Sequence, residues 1–104
     1  MIKATFRLTD DQIKGFTLCG HAGLGTAGND ILCAAVSSAA YMTANTLTEI
    51  CGAKADVAVN DGMMSLTLTE TDDTIQTILE GFLLHLNELR EQYPKRIQVL
   101  KTEV

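Results

Sequence analysis

Proline occurs once in these 104 residues, at Pro94, while hydrophobic residues make up 46% of the chain. So little proline beside so much apolar content excludes a disordered or low-complexity polypeptide. Basic residues are scarce as well, 8 against 13 acidic, which leaves a formal charge of −5 and no basic face for holding phosphates. Direct nucleic-acid binding is therefore not expected, whereas a basic peptide or protein partner is easy to accommodate. The opening residues, MIKATFRL, lack a basic leader followed by an apolar run, so no signal peptide is read and a cytoplasmic location is expected. Cysteine is both sparse and odd in number (Cys19, Cys33 and Cys51), which in this setting argues for reduced thiols rather than a disulfide framework. Charge is absent from Ile31 to Thr48, but Ser37, Ser38, Thr43, Asn45, Thr46 and Thr48 make that stretch too polar for a lipid span. A helix buried by protein on most sides is expected there, and no membrane partner.

What is present is alternation and punctuation. Residues 2–8 place Ile2, Ala4, Phe6 and Leu8 on one face of a strand, and Thr9-Asp10-Asp11-Gln12 has the chemistry of a turn. Ile13 to Gly20 can then return as the second arm of a hairpin with Phe16 and Leu18 inward. Asp30 reads as the N-cap of a helix running to Glu49 or Ile50, stopped by Cys51-Gly52. Its alanines at 34, 35, 39, 40 and 44 would let it lie close against a sheet or a second copy of itself. Residues 55–59, a turn at Asp61-Gly62, and Met64, Leu66 and Leu68 make a second hairpin. Thr71-Asp72-Asp73 caps a second helix, whose stripe of Ile75, Ile78, Leu79, Phe82, Leu83, Leu86, Leu89 and Tyr93 ends at Pro94. A short last strand spans 96–102. The predicted fold is α+β, a ββαββαβ two-layer sandwich with two helices on a mostly antiparallel, mixed sheet, and one domain over residues 1–104.

Chemistry concentrates between Gly20 and Ser38. Cys33, three residues past the expected cap, falls in the first helical turn, where exposed N–H groups favour a thiolate. The plain alternative is a small buried residue packed among alanines. His21 is the histidine close in sequence, and a strand–loop–helix turn can bring it to Cys33, where an imidazole takes the thiol proton and later returns it to a leaving amine. Asp30 could orient that imidazole, although capping explains it without catalysis. Ser37, one turn after Cys33 on the same face, either hydrogen-bonds near the site or bonds back to the carbonyl of residue 33. His85, off the apolar stripe of the second helix, reads as a surface or interface residue.

Two rival motifs are weaker. Gly23-Leu24-Gly25-Thr26-Ala27-Gly28 spells G-x-G-x-x-G between a strand and a helix. However, the strands before it form a hairpin instead of a βαβ unit, and the expected cap falls after the last glycine. Cys19, His21 and Cys33 offer three metal ligands without a second clear pair, so no metal or cofactor is assigned.

The Gly20-His21-Ala22-Gly23 loop and the helix start Gly28-Asn29-Asp30-Ile31-Leu32-Cys33-Ala34-Ala35-Val36-Ser37 together resemble the signature of the ribosomal-processing cysteine protease family Prp. The likeness extends along the whole chain, with Leu32 where valine is expected. The resemblance implies a bacterial cytoplasmic endopeptidase that removes the N-terminal extension of a large-subunit ribosomal protein, cutting after a Phe-Phe motif. It implies Cys33 as nucleophile, His21 as general base and acid, and a glycine loop (Gly20, Gly23, Gly25 and Gly28) that closes over the peptide. It also implies a homodimer, with the ribosomal protein precursor as the other partner. The alternative is a non-catalytic ribosome-associated or assembly binding factor, in which Cys33 and His21 are packing residues.

Overall fold

A computed structural model describes residues 1–20 and 27–104, with the side chains of the first helix described from Ile31 onward. The elements are β1 (Ile2–Thr9), β2 (Gln12–Cys19), α1 (Ala27–Asn45, prolonged by a π-helical turn over Thr46–Ile50), β3 (Ala55–Asn60), β4 (Met63–Leu68), α2 (Asp73–Gln92) and β5 (Ile97–Glu103). Their order is the expected ββαββαβ. The five strands form one sheet ordered β3-β4-β2-β1-β5, with β5 parallel to β1 and every other pair antiparallel.

Turn chemistry places the hairpins as local sequence predicts. Asp10 and Asp11 take φ of 51° and 66°, the left-handed conformation that aspartate tolerates in a tight two-residue connection. Between Arg7 and Leu8 the register slips, so that Lys14 is the extra residue of a β-bulge. The backbone at this irregularity is held by α2. Gln76 accepts from the Ile13 amide at 2.8 Å through Oε1 and donates through Nε2 to the Ile13 carbonyl at 2.8 Å. A side-chain amide thus supplies both partners that a neighbouring strand would have given, which satisfies polar groups close to the core.

One face of the sheet is covered by both helices. Phe6, Phe16 and Phe82, the three phenylalanines of the chain, meet there with ring centroids 5.0 to 5.9 Å apart in tilted and edge-on arrangements. From α1 the stripe Leu32, Val36, Ala40, Ala44 and Leu47 joins this core, and from α2 Ile75, Leu79, Phe82, Leu86 and Leu89. Ile78 and Leu83 pack at the margin of the α2 stripe. Asp72 caps α2, its carboxylate accepting from the Ile75 amide at 2.9 Å.

The absence of charge from Ile31 to Thr48 has its counterpart in threonine back-bonding. Thr43, Thr46 and Thr48 donate to the carbonyls of Ala39, Met42 and Ala44, so their hydroxyls are satisfied within the helix. Gly52, at φ of 67°, stops the helical run as expected.

The start of α1 differs from expectation. The helix begins at Ala27, four residues before the Ile31 that a cap at Asp30 implies, so Asp30 lies within the first turn and is not the N-cap. Alanine is the strongest helix former, and the Leu32–Val36–Ala40 stripe holds the helix on the sheet. One further turn through Gly28 is therefore tolerated despite its backbone entropy.

Candidate active site

The earlier helix start changes the electrostatics around Cys33. It is the seventh residue of α1, about 9 Å along the axis from Ala27 at ~1.5 Å per residue. Its own amide belongs to the helical ladder, and the N–H groups without an intrahelical partner are those of residues 27–30. The macrodipole fades within the first turn, so a positive helix end is a smaller contribution to a thiolate at Cys33 than a first-turn position would make. The Cys33 amide is likewise not among the donors open to an oxyanion. The early start also places Ala27 and Gly28 of the G-x-G-x-x-G run inside the helix. The antiparallel hairpin before it still argues against a dinucleotide fold.

Cys33, Ser37 and Tyr41 follow one another at four-residue spacing and form one rim of a groove of about 260 Å³. Val36 and Ala40, buried between that rim and the sheet, line its inner side. Opposite stand Leu18 and Gly20 from the end of β2, Val59 and Asn60 from β3, and Met63 and Met64 from β4. Cys33 is half-buried and packs partly against the core, while Ser37 is exposed. The groove is therefore mostly apolar, with a thiol and the Ser37 hydroxyl on one lip and Asn60 opposite.

Gly20 closes one end. It takes φ of 89°, and a Cβ there would run into the carbonyl oxygen of Met1. Its amide donates to the Gly62 carbonyl at 3.0 Å, tying the end of β2 to the β3–β4 turn. Only glycine combines that φ with so close a backbone approach. The chain therefore leaves the sheet toward position 21 from a fixed point beside the groove.

The residues expected from sequence divide accordingly. Cys33, Ser37 and Gly20 line one groove. His21, Gly23 and Gly25 lie outside the described residues, as does the side chain of Asp30, and with His21 goes any three-ligand metal reading; Gly28 lies in the first turn of α1. Among the described residues no three His, Cys, Asp or Glu side chains cluster to hold a metal ion. No helix among the described residues is long and apolar enough to cross a membrane. His85 is exposed and lines a second groove of about 600 Å³ between α1 and α2, with Met42 and Phe82. Tyr41, Val59 and Met64 are groove residues that sequence reasoning missed. For Tyr41 a signal existed, since it continues the 33–37 spacing by one more turn.

A small α+β protein that presents a cysteine on a helix to a mostly apolar groove belongs, by its geometry, among candidates for thiol hydrolases. Comparison with known proteins makes the assignment specific. The family model described as cysteine protease Prp matches residues 1–98, and the chain belongs to that family of ribosomal-processing cysteine proteases. Ribosomal processing cysteine protease Prp of Bacillus subtilis is 26% identical over 107 residues, covering 95% of this chain and 96% of its own. The Staphylococcus aureus protein of the same name is 26% identical over 103 residues, covering 95% and 97%. Among solved structures, SMU.848 from Streptococcus mutans superposes with a TM-score of 0.90 at 31% identity, covering 100% of this chain and 96% of its own. An essential ribosomal processing protease Prp from S. aureus, solved with a substrate peptide, shares the fold with a TM-score of 0.89 at 24% identity, covering 98% and 100%. By family membership the chain is a cysteine peptidase.

Proposed function

We propose that this protein is an endopeptidase that removes the N-terminal extension of a large-subunit ribosomal protein, cutting after a Phe-Phe motif, with Cys33 as nucleophile and His21 as general base and acid. The observation that carries the reading is the position of Cys33 on the lip of an apolar groove wide enough for a bulky side chain. A relative solved with a substrate peptide is consistent with such a groove holding a chain segment.

The chemistry follows from the residue types. His21 takes the proton from Sγ of Cys33, the thiolate attacks the carbonyl carbon of the second phenylalanine, and a tetrahedral oxyanion forms. Collapse expels the amine, to which the His21 imidazolium returns the proton, and leaves a thioester on Cys33. Water, deprotonated by the same imidazole, then releases the acid and restores the thiol. Because the helix end lies a turn and a half before Cys33, activation rests mainly on the histidine. Ser37 supports the site from the next turn, while Gly23 and Gly25, with Gly20 as fixed end, form the loop over the peptide; Gly28, expected in that loop, lies in α1 instead. Asp30 is kept as a supporting residue.

The charge of −5 draws a basic ribosomal protein by long-range attraction that weakens with salt. A cytoplasmic, single-domain homodimer completes the proposal, the second copy meeting the uncharged outer face of α1, where Ile31 and Met42 are exposed.

The test is mass spectrometry of a peptide with a basic N-terminal segment and a Phe-Phe-Ala core, incubated with wild type and with Cys33→Ala. Scission between Phe and Ala by wild type alone is expected. An intact peptide after incubation with folded wild type would reject this reading and leave a peptide-binding factor without catalysis.

A further inference from the structure

The two edges of the sheet are built differently. β5 ends one side and points charge toward the helix-covered face, since Lys101 is the register partner of Phe6 and Glu103 that of Leu8. Inward charges of this kind protect an edge strand from pairing with another chain. β3 ends the other side and has no such guard. Its six residues, Ala55–Asn60, contain no proline, no lysine or arginine and no bulge in their pairing with β4.

The register fixes which backbone groups that edge offers. Thr69 donates to the Lys54 carbonyl at 2.9 Å, so 54 and 69 are a hydrogen-bonded pair. In an antiparallel ladder every second pair shares that character, here Asp56 with Thr67, Ala58 with Ser65 and Asn60 with Met63. The N–H and C=O groups of Ala55, Val57 and Val59 therefore point away from β4. Among the described residues no strand pairs with them. The side chains of Val57 and Val59 lie on the face that carries the helices, since they are register partners of Leu66 and Met64, yet they are 44% and 50% exposed. Val59 also lines the groove that holds Cys33. A backbone edge that no described strand pairs with, an apolar ledge and the thiol are thus continuous.

We infer that β3 is the peptide-recognition edge of the enzyme. The substrate adds as an extended strand along Ala55, Val57 and Val59, and its alternate side chains turn into the groove over Val59 toward Cys33. Main-chain pairing holds an extended segment whatever its sequence, and the groove reads one side chain in two, the usual division of labour when a peptide augments a sheet. The inference rests on the peptidase reading above and assigns a surface to it.

Amide hydrogen exchange read by NMR tests this on the Cys33→Ala chain, which cannot turn over the Phe-Phe-Ala peptide. With saturating peptide the amides of Val57 and Val59 are expected to slow at least tenfold, while those of Asp56 and Ala58, already paired with β4, change little. A parallel arm gives wild type peptides that carry single backbone N-methyl groups, and kcat/KM is expected to fall at least tenfold at alternate positions only. Unchanged exchange at Val57 and Val59 beside normal cleavage of the unmethylated peptide overturns this inference alone. Protection of both amides without peptide, growing with protein concentration, also overturns it, because a second copy then occupies the edge. An unmethylated peptide left uncut by wild type overturns the peptidase reading and this inference with it.

Discussion

The amide of Gly20 donates to the carbonyl of Gly62 at 3.0 Å, joining the last residue before the histidine loop to the turn between the two strands that wall the groove. This contact makes the site's geometry depend on a glycine outside any regular element. Replacing Gly20 by alanine would place a Cβ against the Met1 carbonyl oxygen at a φ of 89°. A loss of ~2 kcal/mol in urea unfolding is expected from the strained conformation. The same variant should lose more than tenfold in peptide cleavage at temperatures where it remains folded.

Cys33 is half-buried at the rim of the core, so its truncation leaves only a small gap. Cys33→Ala should abolish cleavage while shifting stability by no more than about 1 kcal/mol. Iodoacetamide followed by peptide mapping gives the complementary result: Cys33 should alkylate faster than Cys19 and Cys51 near neutral pH, and His21→Ala should remove that preference. Equal rates at all three thiols would count against a catalytic Cys33.

Ser37 stands one helical turn from Cys33, exposed on the same lip. If its hydroxyl contributes one neutral hydrogen bond in the transition state, worth about 1 kcal/mol, Ser37→Ala lowers kcat about fivefold and leaves KM unchanged. A rise in KM alone would instead make it a peptide contact.

Gln76 bridges α2 to the bulged hairpin through both backbone groups of Ile13. Gln76→Ala leaves that amide and carbonyl short of partners, and a loss of ~2 kcal/mol is expected. Gln76→Glu retains the acceptor for the amide but not the donor for the carbonyl, so it should fall between wild type and alanine in thermal unfolding.

Arg7 lies on the face of the sheet away from the helices, over Gly15, with its guanidinium donating to Thr17 and Thr67 hydroxyls and to the Leu66 carbonyl. Gly15 has to lack a side chain, because a Cβ would meet both that guanidinium and the Leu66 carbonyl. Arg7→Met should cost about 1 to 3 kcal/mol in denaturant unfolding and change kcat/KM less than twofold. A large kinetic effect at unchanged stability would move part of the site to this face.

Much of this arrangement was legible in local sequence. Alternation in IKATFRL and in Met64, Leu66 and Leu68 marked which side chains face the core, because the period of a strand is two whatever its neighbours are. The Asp72 cap and the α2 stripe are properties of one helix, and they appeared as read from Ile75 to Leu89, whereas Tyr93, expected to end the stripe, is the exposed C-cap. The motif that joins Gly20-His21 to Cys33 was visible for the same reason, since both parts lie within fourteen residues.

Other features depend on contacts that no local pattern encodes. The sheet order sets β2 beside β4 and β5 parallel to β1, and it follows from the joint packing of two helices and five strands. The start of α1 lies at Ala27, where a further helical turn prevails over the local preference for a cap at Asp30. Val57 and Leu66 are both apolar and share a face, yet Leu66 is buried while Val57 is 44% exposed. By itself the sequence determined the strands, the helices and the thiol. Tertiary structure decided which strand became the open edge beside that thiol, because exposure depends on where the helices come to lie over the sheet.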